Sequence, residues 1–435
     1  MENLDVREYL TQGDILSSQE KYEEAISYYS KAESIDKMNA EIYIAKGVAY
    51  ANLGKNSEAK EQFEKALKIN RSLGVAYFHL GSLAILEGDT ALGMENFSKA
   101  VSNGFDDAQV YFCIGLLYEE EGNNDLAVRN YTKAITKDAL RPDIRIRKAQ
   151  LLLKGGHIHE ALQALDEMIL TNPDVFEGYH LKFTTLIGLK QYDKAEATIN
   201  SAMALFPKDP AFILDKATLF IEQKKFDEAK KILDELESDP DNEDEVIHRV
   251  NVVRAQIYAL NNELQPAIDS LEKARAISEK NGEFDEDVTF LLSNCYLSAG
   301  DFEKVLNNSV EILKNSEDGY VKETARYYEP LALSKLGRKD EALEKYKEAI
   351  REYRNQSLKS PDNLDSYLFR SMCLRDIEQY DKALELINYV ITLKPELTEP
   401  RMIKVTIFEA AGRTEEAVKE KESVNAMLPE ELRIP

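Results

Sequence analysis

One spacing constrains this chain more than anything else in it. A small residue, often preceded by an acid, recurs at Ala25, Ala59, Gly93, Ala127, Ala161, Ala195 and Ala229, each 34 residues after the last. The series continues through Ala267, Val305, Ala342, Ala383 and Ala417, with steps of 38, 38, 37, 41 and 34 residues. A unit of that length cannot enclose a core of its own, so twelve units must stack and bury their apolar faces against one another.

The stretch at 40–71, AEIYIAKGVAYANLGKNSEAKEQFEKALKINR, displays one unit in full. Its apolar residues recur at helical spacing on either side of Gly54, which predicts two helices joined by a short turn. Small residues permit close approach, and Gly13, Gly47, Gly81 and Gly115 of the first helices are expected to face the small markers of the second. A second small site, at Ala32, Ala66, Ala100, Ala134, Ala202, Ala274 and Ala349, is expected to receive the next unit. Aromatics such as Tyr29, Phe63, Phe97, Tyr131 and Tyr346 fill the space between as core. Glycines 54, 88, 122, 156, 300, 337 and 412 fall between paired helices, and Pro173, Pro207, Pro395 and Pro429 fall where second helices must stop.

These glycines, aromatics and alanines resemble the tetratricopeptide repeat (TPR) pattern. The resemblance covers essentially the whole chain. It implies an all-α, right-handed α-solenoid of helix-turn-helix units, working as a non-catalytic scaffold or adaptor for other proteins. Departures from the template are informative. Extra residues around 238–246, 278–286, 315–322 and 353–364, rich in Asp, Glu, Asn, Ser and Gly, are expected to lengthen helix ends or form exposed turns. They divide the chain into a regular array at 1–237 and a longer-repeat array at 238–435. Lys421 stands where an aromatic usually fills the second helix, as a polar capping repeat requires. Pro330 falls inside a predicted helix and is expected to bend it, or else to stand in for the small residue of its unit.

The chain carries 79 acidic and 55 basic residues, a net charge of -24, which repels nucleic acid and anionic membrane surfaces. Cys113, Cys295 and Cys373 lie far apart without metal-ligand spacing, and no apolar stretch is long enough to span a bilayer or to lead secretion. A cytoplasmic protein with buried thiols is expected. The sequence contains no phosphate-binding glycine loop, nucleophile elbow or HExxH motif, and it calls for no cofactor. His157 and His159 read as a solvated turn rather than a metal site, and the acidic run at 234–245 as a solvated insertion.

The resemblance further implies that first helices line a concave binding face. Phe290, Asn294, Tyr327, Tyr328, Phe369 and Met372 form the leading cluster there, because closing a helix pair does not require them. Phe78, His79, Phe112, Arg147, Gln150 and His180 occupy corresponding places in the earlier units. The expected partner is a protein or peptide, favoured if basic by the negative field. Two other readings share these residues: a sensor closing on a peptide or small ligand, and a subunit that positions an enzyme. Basic residues one place before the small position of the first helix, Lys46, Lys148, Lys182, Lys216, Arg254, Arg370 and Lys404, are read as structural, their stems covering apolar neighbours.

Overall fold

The computed structural model describes residues 5–317 and 319–428, so Pro429 lies outside the described residues. Two compact units divide at Pro207 and Lys208. The first contains α1 (Val6–Ser18), α2 (Tyr22–Ile35), α3 (Ala40–Asn52), α4 (Asn56–Ile69), α5 (Gly74–Leu86), α6 (Thr90–Ser102), α7 (Ala108–Glu120), α8 (Asn124–Lys137), α9 (Pro142–Lys154), α10 (Ile158–Thr171), α11 (Phe176–Gly188) and α12 (Tyr192–Leu205). The second contains α13 (Pro210–Glu222), α14 (Phe226–Ser238), α15 (Asp244–Leu260), α16 (Leu264–Lys280), α17 (Glu286–Ala299), α18 (Phe302–Asn315), α19 (Gly319–Lys335), α20 (Lys339–Lys359), α21 (Leu364–Asp376), α22 (Tyr380–Leu393), α23 (Glu399–Ala410) and α24 (Thr414–Met427). Each of the twelve sequence units is one helical hairpin, and within each unit the hairpins stack in chain order. The architecture is an all-α solenoid.

Local chemistry explains the helix ends. Several first helices start on an Asn or Asp whose side chain accepts an early amide: Asn39 from Glu41, Asp107 from Gln109, Asp209 from Ala211 and Asn363 from Asp365. Their far ends close through one left-handed residue. At the Gly54 turn, Lys55 N–H donates to the Tyr50 carbonyl and Gly54 N–H to that of Ala51, which satisfies two orphan carbonyls. The seven turn glycines have φ between 71° and 81°, as expected. Glu20, Lys190, Lys224, Asn262 and Glu378 do the same job at φ of 55–61°, where a side chain costs about 1 kcal/mol.

The extra residues of the later repeats lengthen helices. α15, α16 and α19 have 17 residues and α20 has 21, against 13 or 14 in regular repeats. α19 runs through Pro330, which is buried at the small position of its unit. The boundary drawn from repeat length, 237/238, falls inside the second compact unit, because α13 and α14 keep the regular length but belong to that unit.

The close approach inside a hairpin involves rings as well as small residues. The glycines of the first helices lie under rings, and at Gly81 an added Cβ would also come within 3.2 Å of the marker Gly93. A Cβ added at Gly13, Gly47 or Gly115 would come within 2.4–2.5 Å of Tyr29, Phe63 or Tyr131, and one at Gly81 within 2.7 Å of Phe97. These rings are buried, and each stacks onto bare helix backbone. Where the first helix has Ala149, Ala217 or Ala255 instead, the second supplies Leu165, Leu233 or Leu271 in the same core cluster. Volume is thus exchanged across the seam, one methyl gained for a ring lost.

That exchange is testable. Gly47→Ala should overpack Phe63 at a cost of about 1–3 kcal/mol, offset by about 1 kcal/mol of helix propensity. Combining it with Phe63→Leu should recover at least about 1 kcal/mol relative to the summed single variants. Denaturant titration of the four proteins measures this coupling, and strict additivity would show that the ring and the glycine are independent.

Candidate functional site

First helices of successive repeats meet directly, α1 with α3 and α3 with α5 in the first unit, α13 with α15, α19 with α21 and α21 with α23 in the second. The residues expected to bind a partner lie along this series, and the structure separates them into packed and open members.

In the first unit most are engaged with neighbours. Phe78 stacks on Phe105 at 4.9 Å and touches Phe97 at 5.8 Å. His79 stacks on Phe63 at 4.9 Å, and burial pushes its pKa down to about 4, so it is neutral at pH 7. Phe112 contacts Tyr131, and the Arg141 guanidinium lies 5.7 Å from its ring centre. Arg147 holds Glu119 through two bonds of 2.9–3.0 Å, and Tyr131 donates to the same carboxylate at 2.6 Å. Burial raises the Glu119 pKa, but these donors outweigh it and hold the carboxyl below its usual range. His180 stacks on Phe176, while Gln150 is exposed.

The second unit requires a correction. Tyr327 is only 3% exposed and Phe369 9%, so neither offers an open anchor. The Tyr327 hydroxyl donates to Asp376 Oδ2 at 2.9 Å and accepts from Arg375 Nη2 at 2.8 Å. Tyr346 donates to the same Asp376 oxygen at 3.0 Å, and Arg375 reaches Thr406 at 2.8 Å and Asp376 Oδ1 at 2.7 Å. This clasp joins α19, α20, α21 and α23. Burial and the Asp376 charge push the Tyr327 and Tyr346 hydroxyls well above the usual phenol range, which keeps them as donors. Phe369 stacks on Tyr353 at 5.7 Å, with Met372 packed alongside.

The open part of this face lies half a helix away. Tyr320, 53% exposed, contacts Phe290 and Phe369 at 6.2 Å each, so aromatic surface runs across α17, α19 and α21. Next to it Tyr328 donates to Asn294 Oδ1 at 2.7 Å, and burial pushes its pKa up to about 12. Sequence reasoning missed Tyr320, whose only signal was its place in the extra turn that begins α19. It also missed Arg375 and Asp376, which no local pattern distinguishes from an ordinary helix end.

Four of the seven residues of the basic column make ion pairs with second helices. Lys46 reaches Glu33 at 2.7 Å, Lys182 reaches Asp166 at 2.6 Å, Arg254 reaches Asp234 and Glu237 at 2.8 and 2.6 Å, and Lys404 reaches Glu420 at 2.9 Å. Among the described residues no group of three potential metal ligands occurs, and no helix is long and apolar enough to cross a membrane.

Two outcomes follow from these bonds. Because the folded pKa of His79 lies below its unfolded value of about 6.5, the unfolded chain binds the extra proton between those values and stability falls as pH drops through that window. At pH 5 the loss should be about 2 kcal/mol, and His79→Gln should remove it; equal pH slopes for both proteins in denaturant titrations would contradict this. Tyr327→Phe should cost about 1–3 kcal/mol by stripping the clasp of a buried donor, read as a lowered thermal midpoint. An unchanged midpoint would return Tyr327 to the list of free anchors.

Comparison with known proteins agrees with this architecture. A TPR repeat model matches residues 13–54, and tetratricopeptide repeat models match 40–73, 118–182, 186–250 and 331–397, together more than half of the chain. No curated protein matches the sequence. Among solved structures, YrrB, described as a TPR protein with an unusual peptide-binding site, is 26% identical, with 41% of this chain and 92% of that one covered at a TM-score of 0.33. The C-terminal part of a TPR repeat-containing protein from Cytophaga hutchinsonii is 16% identical over 65% of this chain and 99% of that one, TM-score 0.44. The Cut9–Hcn1 hetero-tetramer of the APC/C gives 14% identity over 99% of this chain and 95% of that one, TM-score 0.43. With repeat models matching more than half of the chain, in segments between residues 13 and 397, the chain belongs to the tetratricopeptide repeat family.

Proposed function

We propose that this protein is a non-catalytic scaffold that binds a polypeptide segment on the face lined by its first helices, with the Phe290–Tyr320 surface of the second unit as the anchor. The observation carrying this reading is the half-exposed Tyr320 ring, seated on aromatic neighbours from two other repeats. A rigid aromatic that already rests on a packed floor loses little freedom on binding and presents a large apolar surface. Asn294 and Tyr328, tied to each other beside it, supply polar edges that fix a peptide's register. Phe78, Phe112, Arg147, Gln150 and His180 extend the same kind of face in the first unit as its polar and aromatic rim.

The electrostatics favour a basic partner, since a net charge of -24 steers cations toward the chain and repels nucleic acid. A role without catalysis is supported by the ionisable groups themselves. Burial raises Cys295 and Cys373, and raises the buried tyrosines, which keeps them protonated and poorly nucleophilic. All three cysteines are free thiols, which suits the reducing cytoplasm.

A random peptide library displayed against the full chain tests this reading. Enriched binders should be rich in Lys and Arg, should weaken as salt rises, and should lose about tenfold in affinity to Tyr320→Ala with no change in thermal midpoint. Binders that hold Tyr320→Ala and Phe290→Ala proteins as tightly as the parent would move the binding face elsewhere.

A further inference from the structure

Where the basic column crosses α19 its sign is reversed. The place that Lys46, Lys182 and Arg254 hold in their helices is Glu329 in α19, the only acid found there in the twelve units. Glu329 turns to the following helix and holds Lys345 of α20 at 3.0 Å. On the preceding helix, α18, the place five residues after the small marker is Val310. The other eleven units carry a polar residue at that place, among them Asp166 and Asp234, which receive Lys182 and Arg254. So α19 has no base here to reach back to α18, and α18 offers an apolar side chain, 50% exposed, where other second helices offer a polar one.

The result is an open groove of about 780 Å³ bounded by α18, α19 and α20. One wall and part of the floor are apolar, made by Leu306 and Val310 of α18 and Leu333 of α19. The facing wall is α20, where Asp340, Glu344 and Glu348 follow one another at four-residue spacing. No other second helix has carboxylates at all three of these places. In a helix that spacing sets them along one edge, over roughly 12 Å. All three are exposed, and Glu344 and Glu348 meet lysines of their own helix, Lys347 at 2.7 Å and Lys345 at 3.4 Å, in solvent-facing pairs that contribute little. Arg338 is taken up by both oxygens of Glu341. Five carboxylates against three bases line the groove, so its charge is negative and lies on one wall.

We propose that the groove between α18 and α20 docks a basic amphipathic helix of a partner protein, its apolar stripe against Leu306, Val310 and Leu333 and its Lys or Arg flank along Asp340, Glu344 and Glu348. An extended segment would lay unpaired amides against the apolar wall, whereas a helix satisfies its own backbone and offers only side chains. Basic residues four apart on that helix match the spacing of the carboxylates. The apolar wall supplies affinity, and the acidic wall sets orientation, because a helix with one basic flank meets α20 in one direction only. The groove shares no residue with the Phe290–Tyr320 surface, and neither reading requires the other.

The test is a displayed library of helical peptides, with leucine fixed along one stripe and the flanking positions randomised, selected on the full chain carrying Tyr320→Ala so that the aromatic surface does not compete. Enriched helices should carry Lys or Arg on one flank and bind more weakly as salt rises. In fluorescence anisotropy titrations Val310→Ser, which gives α18 the polar character of the other units, should weaken them about tenfold. The triple variant Asp340→Asn, Glu344→Gln, Glu348→Gln should weaken them by a similar factor and flatten the salt dependence. Leu343→Ser, at an exposed position of α20 outside the groove, should leave affinity unchanged. All of these positions are at the surface, so an unchanged thermal midpoint separates lost docking from lost folding. A library that yields no helix, enriched helices without a basic flank, or helices held equally well by the parent, Val310→Ser and triple-variant proteins would overturn the docking groove.

Discussion

The fold depends on how closely two helices can lie within one hairpin. Glycine in the first helix lets a ring of the second rest on its backbone, as Phe63 does on Gly47 and Tyr131 on Gly115. Once that distance is set, the remaining space is filled by whichever neighbours conserve volume, and the Ala217–Leu233 hairpin reaches the same density by another division of atoms. Stacking then follows, because a hairpin closed in this way still exposes apolar surface on both flanks and covers it only against its neighbours. The 34-residue spacing is the sequence trace of this requirement.

Charge is arranged on top of that scaffold with a consistent direction. Basic side chains of the first helices reach acids on second helices, so a surplus of carboxylates is partly neutralised at the seams and left bare elsewhere. Such pairs are half-buried, where they contribute more than exposed ones and lose less to salt.

Much of this was readable in advance, for physical reasons. The small markers, the turn glycines and the hairpin aromatics are local signals with a fixed period, and the helices lie where those signals put them. Glu20 and Glu378 are not readable as turn residues, because the backbone hydrogen bonds that close the turn around them hold a positive φ that their own preference opposes. Tyr327 and Tyr320 show the limit for the site. Both are aromatics on α19, and their burial depends on where Arg375, Asp376 and Tyr346 arrive from other helices. No spacing rule encodes that convergence, so spacing alone does not separate the buried tyrosine from the open one. The alternative reading of Pro330, as a stand-in for the small residue, matches its buried place in an uninterrupted helix.

The Arg375–Asp376 clasp bears on how the array comes apart. Solenoids held mainly by apolar nearest-neighbour contacts fray one repeat at a time from a free end, since each interface breaks separately. A hydrogen-bonded cluster drawing on α19, α20, α21 and α23 binds three consecutive hairpins to one shared set of atoms. Losing any member strands buried polar groups of the others, so these hairpins open together as a single cooperative block. These three hairpins are thereby made to resist pulling and proteolysis as one body.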